Sequence, residues 1–311
     1  MVSLGGNAIL KHTDKGTAEE QFEHVRETSN IIVELLKEGH HIALTHGNGP
    51  QVGDILLAYH LSRETLPPMP LDVCVAQSQG MIGYMLQISL QNALKEAKIM
   101  KSAVTILTQT LVHKDDPQLK KPSKPIGPFY TAMEASKLRK EEGWTIVDDG
   151  GRGYRRVVPS PLPIGLLEES SIKSLFDNGV LVIASGGGGI PVTEDDNGNL
   201  YGLEAVVDKD YTASLLASII DADILLVLTD VDNVAINYGK PHQRDLNHIT
   251  LGIAREYHKK GYFPSGNMGP KIESSIHFLE NGGKKAIITS LKNVSDALKG
   301  NAGTTITHSK N

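Results

Sequence analysis

Ile183-Ala184-Ser185-Gly186-Gly187-Gly188-Gly189-Ile190-Pro191-Val192 runs an apolar strand straight into four glycines. The same layout occurs twice more, in Val2-Ser3-Leu4-Gly5-Gly6-Asn7 and in Ala43-Leu44-Thr45-His46-Gly47-Asn48-Gly49-Pro50-Gln51. Each is an apolar strand, a glycine turn, then a polar residue or the start of a helix. Glycines at a strand end let backbone N–H groups close around an anion, and a following helix adds its positive end. One such turn often just reverses the chain. Three predict a site for a strongly anionic ligand at the carboxyl edge of a parallel sheet.

Outward from these turns the chain alternates between strand and helix patterns. Thr17-Ala18-Glu19-Glu20 is a capping box opening a helix with apolar positions Phe22, Val25, Ile32, Val33 and Leu36, ended by Gly39. Further helices are predicted from about Gln51, over 72–98, near 171–178, over 211–220, and near 251–260 and 271–280. Strands are predicted at 41–45, 103–111, 180–184, 224–228, 285–289 and 304–307. Alternation of this kind implies a mostly parallel sheet covered on both faces. One region, about 113–163, breaks the rhythm with Lys120-Lys121-Pro122-Ser123-Lys124-Pro125 and Gly150-Gly151-Arg152-Gly153-Tyr154-Arg155-Arg156. It reads either as a solvated surface loop or as an excursion folding over the sheet edge to deliver a lysine to the site.

Composition narrows the function classes. The 311 residues suffice for two domains or one large α/β domain. A net charge of -5 leaves no basic footprint for nucleic acid. No apolar run approaches the ~20 residues of a membrane span, and glycines interrupt the N-terminus too early for a signal-peptide layout. The one cysteine, Cys74, reads as a small buried apolar residue on a helix and fits a reducing cytoplasm. No G-x-x-x-x-G-K-[ST] loop is present. Gly47-x-Gly49 lacks the third glycine at dinucleotide spacing, because Gly53 comes one residue late. No paired Cys or His spacing suggests zinc, and His40, His41 and His46 read as strand and turn residues. No G-x-S-x-G elbow occurs.

What remains are glycine turns and selected lysines. Asp208-Lys209-Asp210 precedes a helix starting at Tyr211-Thr212-Ala213, with Asp210 as its expected cap. Lys271 follows the turn Gly266-Asn267-Met268-Gly269-Pro270. Lysines beside three anion-shaped turns suggest phosphoryl transfer, which needs cations around the phosphates and little covalent chemistry. Leu228-Thr229-Asp230-Val231-Asp232-Asn233-Val234, running on to Tyr238-Gly239-Lys240-Pro241, offers a bed for an adenine and ribose.

In this order the segments resemble the amino acid kinase superfamily, and within it the carbamate kinase family. The matching pieces are Leu4-Gly5-Gly6-Asn7-Ala8, 45–53, Lys124-Pro125-Ile126-Gly127-Pro128-Phe129-Tyr130, 156–161, 186–192, Val207-Asp208-Lys209-Asp210, 228–232 and Met268-Gly269-Pro270-Lys271. The resemblance covers about residues 2–307, and the Lys124–Tyr130 piece is particular to the carbamate kinase family. It implies a three-layer α/β sandwich with an open, mostly parallel eight-stranded sheet in a single domain. A substrate lobe of about 1–205 would carry a protruding subdomain at about 113–163, and a nucleotide lobe would span about 206–311. It implies a cytoplasmic homodimer, active in arginine metabolism, that reversibly converts ATP and carbamate to ADP and carbamoyl phosphate. Mg²⁺ would be carried by the nucleotide phosphates and not by protein ligands.

By the same resemblance Gly5, Gly6, Asn7, Gly47, Asn48, Gly49, Gly186 and Gly187 would hold the carbamate and the transferred phosphoryl group. Lys124 would reach them from the excursion. Lys209 and Lys271 would neutralise phosphate charge, oriented by Asp210. Thr229, Asp230, Tyr238 and Met268, with Lys209 and Lys271, would surround the nucleotide. Two departures stand out. Ser3 sits where other superfamily members place a lysine, and only three residues precede Leu4, so the first strand is expected to be a stub. The alternatives are another kinase of this fold acting on a small carboxylate or phosphate, and a non-catalytic nucleotide-binding regulator.

Overall fold

The computed structural model describes residues 1–11, 14–264 and 268–309; the Asn7 side chain and the turn residues Gly266 and Asn267 lie outside the described residues. The main sheet contains β1 (Val2–Leu4), β2 (Ala43–His46), β3 (Ala103–Thr105), β4 (Leu181–Ile183), β5 (Ile224–Thr229), β6 (His248–Thr250), β7 (Lys285–Ser290) and β8 (Thr304–Thr307). Their order across the sheet is β6-β8-β7-β5-β1-β2-β4-β3. Neighbours are parallel except β7 and β8.

The helices are α1 (Ala18–Lys37), α2 (Gly49–Ser62), α3 (Leu71–Glu96), α4 (Ala132–Glu142), α5 (Glu169–Asp177), α6 (Lys209–Ile219), α7 (Leu251–Lys259), α8 (Met268–Glu280) and α9 (Val294–Leu298). Side-chain alternation along the strands makes the three layers. Leu225, Val227, Ala286 and Ile288 face a layer built from α5 to α8, with Ile172, Leu216, Ile272 and Leu279 in its core. Leu226, Leu228 and Ile287 face the opposite layer of α1, α3 and α9, with Val25, Ile32, Leu86, Leu90 and Ala297. Both faces of each strand are therefore apolar, which is why strands such as 224–228 read as unbroken apolar runs. Cys74 is buried on α3, as expected. Among the described residues no helix is long and apolar enough to cross a membrane.

Helix starts follow the sequence closely. Thr17 Oγ1 accepts from Glu20 N at 3.3 Å while Glu20 Oε2 accepts from Thr17 N at 3.0 Å, the two halves of the predicted box. The expected strand over 103–111 is in fact two. It breaks after β3 because Gln79 of α3 clamps Thr108 on both sides, with Thr108 N donating to Oε1 and Nε2 donating to Thr108 O, each at 3.0 Å. The continuation Gln109–Val112 joins a separate four-stranded sheet between Ile190–Glu194 and Pro163–Leu166.

The excursion leaves and re-enters through that antiparallel pair, Gln109–Val112 and Pro163–Leu166. Between them lie a three-stranded antiparallel sheet (Lys124–Tyr130, Tyr154–Val158, Ile146–Asp148) and α4. It is a folded unit, not a solvated loop. Ile126 and Val158 anchor it, buried against Val52, Leu71, Cys74 and Val75 of α2 and α3.

Candidate active site

β5, β1, β2 and β4 are consecutive parallel neighbours, so their carboxyl ends open on one edge of the sheet. The chain order reverses at β1, the position where open α/β sheets form their ligand crevice. The predicted turns meet there. A Cβ added at Gly5 would lie 2.6 Å from Leu228 O at the end of β5. One added at Gly47 would lie 3.5 Å from Lys209 Cδ. One added at Gly187 would lie 2.1 Å from Asn48 Nδ2. Gly49 opens α2, with Asn48 before it. The four-glycine turn leads into a strand and not a helix; the helix beside it is α6, since Val207 O lies 2.0 Å from where a Gly188 Cβ would be. Gly188 has φ +91, so a side chain there would also strain the backbone.

The amino end of α6 carries the charges. Asp208, not the expected Asp210, caps the helix: its Oδ1 accepts from Asp210 N at 3.0 Å. This frees Asp210, one residue into the helix, to bridge two lysines. Its Oδ1 takes Lys209 Nζ at 2.6 Å and its Oδ2 takes Lys271 Nζ at 3.0 Å. Lys209 Nζ also donates to Ser3 Oγ at 2.9 Å, so an ammonium stands beside β1. Lys124 Nζ meets Asp208 Oδ2 at 2.5 Å, which delivers the excursion's lysine to this cluster.

The electrostatics follow from two ammonium groups sharing one buried carboxylate. Burial opposes charge on Asp210, yet the charges of Lys209 and Lys271 hold its carboxyl well below the usual carboxylate range. Burial pushes Lys209 below the usual lysine range, Asp210 resisting and Lys271 adding to the shift. Burial acts against Lys271 too, but the charge and hydrogen bond of Asp210 prevail and hold it above that range. Lys124, Lys209 and Lys271 thus meet Asp208 and Asp210 at one place, with the charge of Asp230 also acting on Lys271.

Several supporting residues escaped the sequence reading. Asn48 Nδ2 donates to Ser78 Oγ at 2.9 Å. Thr45 Oγ1 donates to Ser185 O at 2.8 Å, and Thr110 Oγ1 to Gly188 O at 2.8 Å. Ser185 N donates to Thr108 Oγ1 at 2.9 Å. Together they fix the glycine turns. The signal available in the sequence was Ser78-Gln79, two adjacent polar residues on the buried side of a mostly apolar helix face. His46 ends β2 with Nδ1 2.9 Å from Gly47 O; burial lowers its pKa to about 4, so the ring is neutral at physiological pH.

Of the residues expected to surround a nucleotide, Thr229 ends β5 and Asp230 follows it; the Asp230 charge helps hold Lys271 protonated. Met268 opens α8 and packs against the adjoining core. Tyr238 is 63% exposed after the strand Val234–Ile236 and is not drawn into the lysine network.

An open parallel sheet with glycine turns at its switch point and an aspartate-bridged lysine pair defines a phosphotransferase. The amino acid kinase family model matches residues 1–290. The carbamate kinase of Thermococcus kodakarensis is 48% identical over 309 residues, covering 98% of each chain. The structure of carbamate kinase from Giardia lamblia bound to citric acid superposes with a TM-score of 0.94 at 43% identity, over 98% of this chain and 97% of that one. The same enzyme bound to AMP-PNP gives 0.89, at the same identity and coverage. The chain belongs to the amino acid kinase family and, within it, to the carbamate kinases.

Proposed function

We propose that the protein transfers a phosphoryl group reversibly between ATP and carbamate, giving ADP and carbamoyl phosphate. The observation that carries this reading is the meeting of Lys124, Lys209 and Lys271 around Asp208 and Asp210, beside the glycine turns of β1, β2 and β4. Carbamate is already an anion, so no general base is needed to make the nucleophile. The work is to bring two anions together in line and to neutralise charge on the moving phosphoryl group.

In this reading the backbone amides of Gly5, Gly6, Asn7, Gly47, Asn48, Gly49, Gly186 and Gly187 receive the carbamate and the phosphoryl oxygens. Lys124 covers the carbamoyl phosphate side. Lys209 and Lys271 face the γ-phosphoryl group and the leaving β-phosphate oxygen, and Asp210 fixes both. Thr229, Asp230, Tyr238 and Met268 flank the nucleotide. Residues of about 1–205 thus serve the small substrate and those of about 206–311 the nucleotide. Asp208 and Asp210 are engaged by lysines, and among the described residues no cluster of three His, Cys, Asp or Glu side chains offers a protein-only metal cage. Mg²⁺ is proposed to arrive on the nucleotide phosphates, where it would add charge neutralisation.

A homodimer is proposed to form along β3. That strand is an edge of the sheet, flanked by Tyr84, Ile88 and Leu107, which are 59%, 39% and 52% exposed. The lone cysteine supports a cytoplasmic setting, where metabolite levels would decide whether the enzyme makes ATP in arginine metabolism or makes carbamoyl phosphate.

The test is ATP formation from ADP and Mg²⁺ with carbamoyl phosphate, acetyl phosphate or N-acetylglutamyl phosphate as the donor. Turnover selective for carbamoyl phosphate is expected. Turnover with another donor only, or ADP binding without turnover, would move the assignment to a different small-acid kinase or to a regulator.

A further inference from the structure

We propose that Asp208 is the positioning residue for Lys124, one carboxylate that ties the excursion's lysine to the amino end of α6. The inference rests on the phosphoryl-transfer reading and deepens it. Asp208 is 8% exposed, and its two oxygens have separate tasks. Oδ1 caps α6 through Asp210 N at 3.0 Å, and Oδ2 holds Lys124 Nζ at 2.5 Å. Asp210, two residues on, is committed to Lys209 and Lys271. The carboxylates therefore divide the lysines between them. Asp210 takes the two that come from α6 and α8, and Asp208 takes the one that comes from the excursion.

Capping alone does not explain a carboxylate at this position. Asn or Ser caps a helix about as well. A negative charge at a helix start meant for phosphate repels that phosphate unless a cation neutralises it. Lys124 is that cation. Its backbone is anchored by pairing with Val158, and Pro125 O lies 3.8 Å from where a Gly49 Cβ would be, so its stem starts beside the Gly47–Gly49 turn. The side chain is 28% exposed, however, and its flexible stem lets the ammonium wander unless something holds it. One proton of Nζ bonds Asp208, and among the described residues the other two have no protein acceptor, which leaves them for an anion between the Gly49 turn and α6.

Asp208→Asn separates the two tasks, because the amide oxygen still caps α6 while the charge that holds Lys124 is gone. Its melting temperature is expected to match the wild type, whereas Asp208→Ala, which loses the cap, should melt lower. With carbamoyl phosphate and ADP, kcat of Asp208→Asn is expected to fall about 10- to 100-fold, the scale of a misplaced reacting group. In a Lys124→Met background the same substitution should change kcat less than about 3-fold, the non-additivity expected of residues acting as one unit. A second readout needs no turnover: the rate of Lys124 acetylation by an N-hydroxysuccinimide ester, followed by peptide mass spectrometry. That rate should rise several-fold in Asp208→Asn, while Lys209 and Lys271 keep theirs. An unchanged Lys124 labelling rate, or full multiplicative losses in the double variant, would overturn the proposal. Wild-type protein inactive with carbamoyl phosphate would instead overturn the functional reading, and the labelling rates would still decide the role of Asp208.

Discussion

Gly53 of α2 and Gly127 of the excursion meet backbone to backbone. A methyl group added at Gly53 would lie 2.0 Å from both Cα and N of Gly127, closer than any real contact, so Gly53 is the point on which the excursion rests. Gly127 itself has φ +72. Gly53→Ala forces the excursion off α2 at an overpacking cost of about 1–3 kcal/mol. The expected outcome is a KM for carbamoyl phosphate raised about 10-fold or more, with ADP affinity changed less than about 3-fold. Steady-state kinetics with calorimetric ADP titration checks it, and an equal loss of both ligands would remove the excursion from small-substrate binding.

Lys271 reaches Asp210 from α8, and among the described residues α8 contributes no other lysine to the cluster. A preorganised charge aimed at a developing negative charge contributes on the order of 10²–10³ in rate. Lys271→Ala is expected to lower kcat at least ~10²-fold. Near-normal turnover in this variant would take Lys271 out of the mechanism.

His46 makes acid stability readable. The folded ring holds its proton only below about pH 4, chiefly because it is buried, whereas the unfolded ring takes one up near 6.5. Between those values the unfolded state binds more protons, so stability falls as pH falls through the window and levels off below it. At about 1.4 kcal/mol per pH unit the full effect is about 3 kcal/mol. Asp210 also loses stabilisation in acid, but its lowered pKa places that loss below the ordinary carboxylate value and outside this window. Urea midpoints at pH 7 and pH 4 should therefore converge in His46→Gln relative to wild type. An identical pH slope in the two proteins would refute the assignment.

The periodic elements and the ligand turns could be read from the chain because their causes are local. A capping box, a glycine after a strand and an unbroken apolar run each act within a few residues, and α1, β5 and β8 fall where those signals put them. The structure also brings Lys124, Lys209 and Lys271, all named from the sequence, to one place. Two of the differences from the sequence expectation involve partners distant in sequence. The break after Thr105 depends on Gln79, whose amide matches the backbone of Thr108 across 29 residues. Asp208 and not Asp210 caps α6, while Asp210 is bonded to Lys271, 61 residues further on. No periodicity encodes those pairings, because they come from the sheet bringing its carboxyl ends to one edge.

Asp210 is the group on which the account depends most, since its carboxylate bonds both Lys209 and Lys271. The decisive measurement is the initial rate of ATP formation from saturating ADP, Mg²⁺ and carbamoyl phosphate by Asp210→Asn, beside its ADP affinity by calorimetry. The predicted result is a kcat reduced at least ~10²-fold with ADP still bound, as expected when the charges on the moving phosphoryl group lose their orientation. A kcat within a few-fold of wild type would contradict phosphoryl transfer by this lysine–aspartate cluster.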